Sequence, residues 1–357
     1  MAWRIIMDAM GGDNAPTAIV RGAVLALELF DGSVTLVGDE GAIRRELAAC
    51  GGEALVGQRL IIVHTDEKIT MEDEPTDVVR KKKNSSMTVA LKMLAQGEAD
   101  AFVGAGNTGA MFMGASMIVR PFHGIRRAAL AAILPMERPC LLLDCGANVT
   151  VTPEYLEQFA MMGSVYMENL FSVSKPAVGL LNNGAEPHKG TAVQIEAYQR
   201  LKNNPFLHFV GNVEGSDVPR GKCDVVVSDG FAGNILLKTT EGMGKFMMRQ
   251  LKGLFFSTAA TKLSAVFFKR QLMEMKHKFD VSEHGGSPFL GISKPVIKAH
   301  GSSDARAVKN AVRQALSYLD KDVSEKIRVG IAAVQSKQTQ NAPTTDGVQS
   351  DREDVTA

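Results

Sequence analysis

Short apolar runs of strand length alternate with segments of helical periodicity over most of the chain. This alternation is typical of a mainly parallel sheet whose strands are joined by crossover helices, and so it predicts an α/β fold. One helix is clearly signalled, because Thr152 and Pro153 mark its start and apolar residues recur at helical spacing up to Tyr166. We expect strands at Trp3–Met7, Val34–Val37, Leu60–His64, Ala101–Val103, Ala129–Leu134, Cys140–Leu143, Ala177–Leu181, His208–Val210 and Asp224–Val227.

Five of these runs end in a loop rich in Gly, Asn, Asp or Ser that leads into a helix. The carboxyl ends of parallel strands meet at one edge of a sheet, which is where open α/β folds bind ligands. Glycines let the backbone approach a ligand closely, and N–H groups at a helix start favour an anion. We therefore expect one site for phosphate or a phosphorylated ligand, built from Asp8–Asp13, Gly104–Gly109, Asp144–Asn148, Asn182–Gly190 and Ser228–Asn234.

The composition is that of a soluble protein, since 45% of the 357 residues are apolar and 22% are charged. A net charge of only +1 gives no indication of nucleic-acid binding. The longest wholly apolar run, Ala128–Leu134, is far shorter than the about 20 residues that a membrane-spanning helix needs. The four cysteines form no Cys-x-x-Cys pair, which fits a reducing cytosol, and we find no signal-peptide pattern before the first strand.

The segment Gly242–Phe279 differs from the rest, because neither a strand pattern nor a proline interrupts its helical periodicity. It contains eight Lys or Arg and one Glu, a local net charge of +7. Two interpretations stay open: helices that pack on the core or a second copy and expose a basic face, or a docking surface for an acidic partner or anionic lipid. Residues 335–357 are polar without apolar periodicity, so we predict one domain over 1–334, including the protrusion 242–279, and a disordered tail over 335–357.

The run Gly104–Gly109 matches G-x-G-x-x-G and raises the alternative of a dinucleotide site. It does not lie in the first βα unit, however, and no acidic residue ends a strand about 20 residues later. We favour a loop that presents N–H groups, together with Asn107 and Thr108, to a phosphate. The chain contains no G-x-x-x-x-G-K-[ST] loop and no G-x-S-x-G elbow, which argues against a P-loop nucleotide hydrolase and a serine α/β-hydrolase.

Three side chains in the strand-end loops are candidates for chemistry. Lys189 lies just before a helix and suits a phosphate, and the neighbouring His188 is able to move a proton near neutral pH. Cys145 follows a strand and invites the role of a nucleophile. No histidine lies near it in the sequence, so we interpret Cys145 as a small residue that fills a turn.

Seven sequence motifs, taken together, resemble one family over the stretch from Met7 to about Ile331. They are MDAMGGDNAP (7–16), RKKKNSSM (80–87), GAGNTGA (104–110), LLDCGAN (142–148), LLNNGAEPHKG (180–190), FVGNVEG (209–215) and SDGFAGN (228–234). The family is that of the bacterial phosphate acyltransferases of phospholipid synthesis, the PlsX family. The motifs are long and occur in order over nearly the whole chain, so the resemblance is specific.

The resemblance implies a three-layer α/β/α fold like that of isopropylmalate dehydrogenase, and a homodimer. It implies transfer of a fatty acyl group from acyl-[acyl carrier protein] to inorganic phosphate, without metal or cofactor. The acyl phosphate would then be used by a membrane glycerol-3-phosphate acyltransferase. The family's protruding helices correspond to the basic segment and are implicated in dimer contact, carrier docking and attachment to an anionic membrane. The implied location is the cytoplasm, peripherally at the inner face of the membrane.

Phosphate that attacks a thioester needs an anion cradle, donors for the developing oxyanion and a dry channel for the chain. We expect oxyanion donors from the Asn234 amide and from the backbone after Gly230. With Lys189 and His188, Asn234 forms our set of catalytic candidates. The phosphate-binding candidates are Asp8, Gly11, Gly12, Gly106, Asn107, Thr108, Asn183 and Gly230. The docking candidates for the carrier or the membrane are Lys262, Lys269, Arg270, Lys276, Phe255 and Phe256.

Two other function classes stay open at this point. A nicotinamide-dependent dehydrogenase would use the G-x-G-x-x-G match, and titration of the cofactor by fluorescence would reveal it. A non-catalytic scaffold would recruit lipid-synthesis enzymes to the membrane through the basic helices, and turnover by pure protein would exclude it.

Overall fold

An eleven-stranded mixed sheet forms the centre of the protein in a computed structural model that describes residues 2–258, 261, 267–279 and 285–340. In spatial order the strands are β3-β2-β1-β4-β11-β10-β5-β6-β9-β7-β8. Their bounds are β1 Arg4–Asp8, β2 Ser33–Gly38, β3 Leu60–His64, β4 Ala101–Gly104, β5 Ala129–Leu134, β6 Cys140–Leu143, β7 Ala177–Leu181, β8 His208–Val213, β9 Val225–Val227, β10 Ser287–Leu290 and β11 Val296–Lys298.

Helices cover both faces of this sheet, which confirms the α/β fold with a mainly parallel sheet. They are α1 Thr17–Ala26, α2 Glu40–Cys50, α3 Asp77–Arg80, α4 Ser86–Gln96, α5 Thr108–Gly114, α6 Pro153–Leu170, α7 Ala192–Asn203, α8 Gly230–Phe255, α9 Lys269–Phe279, α10 Ala305–Asp320 and α11 Val323–Gln340. Side chains of α1, α2 and α10 share one buried apolar cluster, and those of α6, α7 and α11 share a second. A third cluster, on the other face, contains side chains of α4, α5 and α8.

The strands of the two halves of the sheet run in opposite directions. β1 to β4 and β11 are mutually parallel, as are β6 to β9, but the pairs β11–β10, β10–β5 and β5–β6 are all antiparallel. Three successive reversals turn the second half around. The expectation that all five loops share one edge is therefore wrong: those after β1 and β4 lie at one edge, and those after β6, β7 and β9 lie at the opposite edge.

The remaining local predictions agree with the structure to different degrees. Each of the nine expected strands is present, and the helix that starts at Pro153 is capped by the Thr152 side chain as expected. Strands β10 and β11 were not expected. Helix α11 extends to Gln340 and so includes residues 335–340, which we assigned to the tail, while residues 341–357 lie outside the described part of the chain. The division into one domain and a disordered tail stays a prediction.

Candidate active site

Three glycine-containing loops, after β1, β4 and β11, meet at the carboxyl edge of the first half of the sheet. The Asp13 amide donates to the Gly301 carbonyl oxygen over 2.8 Å, which joins the first loop to the third. A Cβ added to Gly11 would lie 3.0 Å from the Cα of Gly106, so the first and second loops approach each other where a side chain does not fit. The amides of Gly12 and Gly106 have no hydrogen-bond partner among the described residues. We call these loops, residues 8–13, 104–108 and 298–301, the glycine cradle.

Two of the predicted phosphate ligands, Asp8 and Asn107, lie in the loops of the cradle and form hydrogen bonds with backbone groups. Asp8 is buried, and its Oδ1 accepts a loop amide over 3.1 Å; burial raises the pKa of this carboxyl. Asn107 caps α5 by accepting the Ala110 amide, and its Nδ2 donates to carbonyl oxygens of the segment 70–73. Both side chains therefore stabilise the loops. The Thr108 hydroxyl differs, because it has no hydrogen-bond partner among the described residues.

Helix α8 carries a polar stripe from the second half of the sheet towards the glycine cradle. Asn234, Lys238, Glu241 and Lys245 recur at helical spacing and so share one face of α8. The helix starts after β9, yet Lys238 and Glu241 lie close enough to Lys298 to act on its ionisation. Lys238 Nζ and Glu241 Oε2 form an ion pair of 2.9 Å. The α8 stripe, residues 234, 238, 241 and 245, therefore approaches the glycine cradle at Lys298. We call the region between the stripe and the cradle the cleft.

Lys298 lies in this cleft, although we did not select it from the sequence. It ends β11 directly opposite Gly104 of β4, and it is half-buried. Burial, and then the charge of Lys238, lower the pKa of Lys298 to about 8. Burial also lowers the pKa of the neighbouring His300. The sequence does contain a pattern that points to Lys298. The short apolar run VIK is followed by the loop AHGSS, and this repeats in short form the strand-to-loop junction found five times elsewhere.

The loops after β6 and β9 use their polar groups to hold each other. The buried Asp144 carboxylate accepts the amides of Leu130, Gly146, Ala147 and Asn148, as well as the Asn148 side-chain Nδ2. A carboxylate that already accepts so many donors leaves few loop amides for a ligand. These loops therefore form a rigid support for the start of α8.

The amides at the start of α8 are also occupied. Gly230 donates to the Asn148 carbonyl oxygen over 2.7 Å, and the amides of Phe231 and Ala232 donate to Asp229 Oδ1. The expectation that the backbone directly after Gly230 supplies oxyanion donors is therefore wrong for these groups, because an N-cap carboxylate has taken them. The Asn234 side chain stays exposed, with its Oδ1 3.6 Å from where a Cβ on Gly146 would lie.

The loop after β7 is compact and exposes its candidates. Asn182 Nδ2 donates to the Lys189 carbonyl oxygen, and the Lys189 amide donates to the Glu186 carbonyl oxygen. Lys189, His188 and Asn183 are exposed, and the Lys189 ammonium has no partner among the described residues. β7 pairs with β9, so this loop lies beside the start of α8 and Asn234, at the edge opposite the glycine cradle.

The docking candidates lie where α8 ends and α9 begins. Phe256 is exposed, while Phe255 is half-buried with its ring centroid 6.2 Å from that of Phe268. Lys269 and Arg270 are exposed at the start of α9, and Arg270 pairs with Glu274 on the same helix. Lys276 belongs to α9 as well. Lys262 lies outside the described residues.

Cys145 is buried beneath the cleft. Burial, and then the charge of Asp144, raise the pKa of its thiol, so the thiolate that a nucleophile needs is disfavoured. Among the described residues, no three His, Cys, Asp or Glu side chains come together as a metal site would require. None of the described helices combines the length and the apolar character needed to cross a bilayer.

Known structures with the same fold include acyl-transferring and dehydrogenase enzymes. A phosphotransacetylase from Streptococcus pyogenes aligns over 94% of both chains with a TM-score of 0.58 at 17% identity. A 4-hydroxythreonine-4-phosphate dehydrogenase from Klebsiella pneumoniae aligns over 88% of this chain and 99% of its own, with a TM-score of 0.50 at 14% identity. At such low identity these similarities establish the architecture alone.

Proteins matched by sequence are far more similar to this chain than the solved structures are. A phosphate acyltransferase from Shouchella clausii is 45% identical over 327 residues, which are 91% of this chain and 97% of that protein. A phosphate acyltransferase from Bacillus subtilis is 44% identical over 328 residues, again 91% of this chain and 97% of that protein. A family model described as "Fatty acid synthesis protein" matches residues 3–326. The chain therefore belongs to the fatty acid synthesis protein family, together with these phosphate acyltransferases.

Proposed function

We propose that the chain transfers a fatty acyl group from acyl-[acyl carrier protein] to inorganic phosphate, giving acyl phosphate and free carrier. The observation that carries this proposal is the 45% identity over 91% of the chain to a phosphate acyltransferase. The cleft supports it independently, because the free amides of Gly12 and Gly106 and the nearby Lys298 suit a small multivalent anion.

The reaction is a single displacement at the thioester carbonyl. A phosphate oxygen attacks the carbonyl carbon, and the carbonyl oxygen gains negative charge in the tetrahedral intermediate. The oxyanion then collapses to re-form the carbonyl as the C–S bond breaks, and the carrier thiolate leaves and takes up a proton. Because phosphate is mostly ionised at neutral pH and a thiolate leaves readily, the main tasks of the protein are positioning and charge stabilisation.

We assign the following roles to the side chains of the cleft and its neighbouring loop. The amides of Gly12 and Gly106 and the free Thr108 hydroxyl bind phosphate, while Asp8 and Asn107 hold the cradle around it. Asn234, at one end of the α8 stripe, donates to the developing oxyanion. Lys189, in the neighbouring loop after β7, attracts the anionic parts of the substrates, with His188 and Asn183 beside it.

The dehydrogenase alternative is not favoured. The dinucleotide interpretation rested on Gly104–Gly109, but Asn107 of this loop caps α5 and donates to carbonyl oxygens of the segment 70–73. The family relatives are phosphate acyltransferases, not dehydrogenases. The alternative of a non-catalytic scaffold is distinguished from an enzyme by turnover, which a scaffold does not produce.

Release of carrier thiol by the pure protein tests the proposal. With palmitoyl carrier as acyl donor, thiol should appear only when inorganic phosphate is added, and neither metal nor nucleotide should be needed. Thiol release at the same rate without phosphate would identify a hydrolase. If no thiol is released with or without phosphate, the protein would be a non-catalytic scaffold.

We further propose that the protein is a homodimer attached peripherally to the inner, anionic face of the membrane, where a glycerol-3-phosphate acyltransferase consumes its product. Two kinds of surface support this. An apolar face of α8 is solvent-exposed in a single chain and suits a second copy. The exposed Leu254, Phe256, Phe267 and Phe268 lie beside the basic start of α9 and suit a bilayer surface and an acidic carrier.

Charge and apolar area should be separable in this helical segment. Changing Lys269, Arg270 and Lys276 to Glu should weaken carrier binding, and wild-type binding should fall as salt rises, since exposed charges are screened within about 8–10 Å.

Changing Phe255 and Phe256 to Ser should release the protein from anionic liposomes in a flotation assay while soluble turnover persists. The control is Leu29→Ser, which changes an exposed apolar side chain distant in the sequence from Phe255 and Phe256.

One outcome would contradict this assignment of the tip. If the Phe255 and Phe256 double variant loses soluble turnover and sediments as a monomer, these side chains belong to the dimer interface or the core.

A further inference from the structure

We propose that the Lys298 ammonium is the charged donor that holds inorganic phosphate against the glycine cradle. The inference rests on the proposed function, because that function requires a phosphate site. It goes beyond it by assigning the site to a residue outside every strand-end motif that the family resemblance rests on.

The first argument is that Lys298 is a half-buried cation without a counter-ion. Its Nζ donates to the Ala299 carbonyl oxygen over 3.1 Å. Among the described residues no carboxylate oxygen lies within 4.0 Å of this Nζ. An ammonium has three donors, so two remain for a ligand. Burying a cation without pairing it is costly, and an anion that binds here would remove that cost.

The second argument is the position of Lys298 in the cleft. In the sheet its Cα pairs with that of Gly104, and the chain after Gly104 leads directly to the unpartnered, buried amide of Gly106. The loop after Lys298 accepts the Asp13 amide at Gly301. One cation and two free amides, of Gly12 and Gly106, therefore belong to three loops that touch.

The titratable groups that act on Lys298 come from α8 and from three loops. Lys238 and Glu241 face it from α8, Asp13 from the loop after β1, Cys145 from the loop after β6, and His300 from its own loop. Lys238 is already paired with Glu241. Of the two lysines, Lys298 is therefore the one without a carboxylate partner.

The ionisation of Lys298 gives the proposal a specific signature. With its pKa lowered to about 8, Lys298 is charged below that pH and neutral above it. A bound phosphate dianion favours the charged form and raises the pKa again. Phosphate binding at pH 8.5 should therefore take up roughly 0.7 proton per site, and the phosphate KM should rise as pH increases through 8.

Calorimetric titration of the full chain with inorganic phosphate tests this, in buffers of different ionisation enthalpy at pH 8.5. Lys298→Met should weaken phosphate binding about tenfold or more, as expected for a charge-assisted contact. Lys298→Arg should bind without proton uptake, and its phosphate KM should stay flat above pH 8, because an arginine remains charged. Lys294→Met, just before β11 and at the other edge of the sheet, is the matched control and should behave as wild type.

Three results would overturn the inference. They are wild-type affinity in folded Lys298→Met, unchanged proton uptake in Lys298→Arg, and no phosphate binding by the wild-type chain alone, in which Lys298 is already in place. The titration needs no acyl donor. Phosphate binding through Lys298 without acyl transfer would therefore refute the proposed function only, and acyl transfer with an unchanged phosphate KM in Lys298→Met would refute this inference only.

Discussion

Asn234→Ala should lower kcat/KM for acyl transfer about a hundredfold, and Lys189→Ala at least about tenfold. Asn234 is exposed at the end of the α8 stripe, and its loss would remove a neutral donor to the oxyanion. The amides before it are already bonded to Asn148 and Asp229, so the backbone cannot replace it. The Lys189 ammonium has no partner among the described residues, so its removal should change catalysis more than folding.

Steady-state kinetics with varied phosphate and carrier measure both effects, and thermal melting checks the fold. Lys202→Ala changes another exposed lysine in the same half of the sheet and should leave kcat/KM unchanged.

Cys145→Ala should stay active, because burial disfavours its thiolate. A folded but inactive Cys145→Ala together with an active Lys189→Ala would reverse the assignment.

Gly233→Ala should lower the free energy of unfolding by about 3 kcal/mol, and kcat/KM with it. A Cβ at Gly233 would lie 1.9 Å from the Asp144 carbonyl oxygen and 2.5 Å from Ser228 Oγ. The first is backbone in a loop fixed by the Asp144 carboxylate, so α8 has to move. Because α8 carries the polar stripe, that movement would displace Asn234 and Lys238 from the cleft. Urea unfolding gives the stability change.

Gly242→Ala is the matched control, since it makes the same change in the same helix. A Cβ at Gly242 meets no atom within 4 Å, so the substitution should raise stability by about 0.5–1 kcal/mol through helix propensity alone. Equal effects of the two substitutions would show that the Gly233 contact does not fix the position of α8.

The local elements of this fold were predictable from the sequence, but the directions of the strands were not. Short apolar runs locate nine strands, because each run carries its own local pattern. The reversal involves β10 and β11, which have only four and three residues. Pro288 lies within β10, and Gly291 and Pro295 lie between the two strands. Such short segments have no periodicity to detect, and pairing between distant strands leaves no local signal.

The candidate site was predictable only in part for the same reason. Glycine loops are visible because the backbone conformation demands the residue, and this located Gly11, Gly12 and Gly106. The hydrogen-bond partners of loop amides depend on tertiary packing, so the occupation of the Gly230 amide by Asn148 was not visible. A single lysine normally signals a solvated charge, and only the burial of Lys298 beside the cradle distinguishes it.

Mass spectrometry of the product formed from palmitoyl carrier and phosphate labelled with ¹⁸O at all four oxygens tests the central claim most directly. The account predicts palmitoyl phosphate that retains all four labels, formed in step with free carrier thiol, because the attacking oxygen and the other three come from phosphate. Unlabelled palmitate as the primary product, at a rate independent of phosphate, would mean that water is the acceptor and would contradict the account.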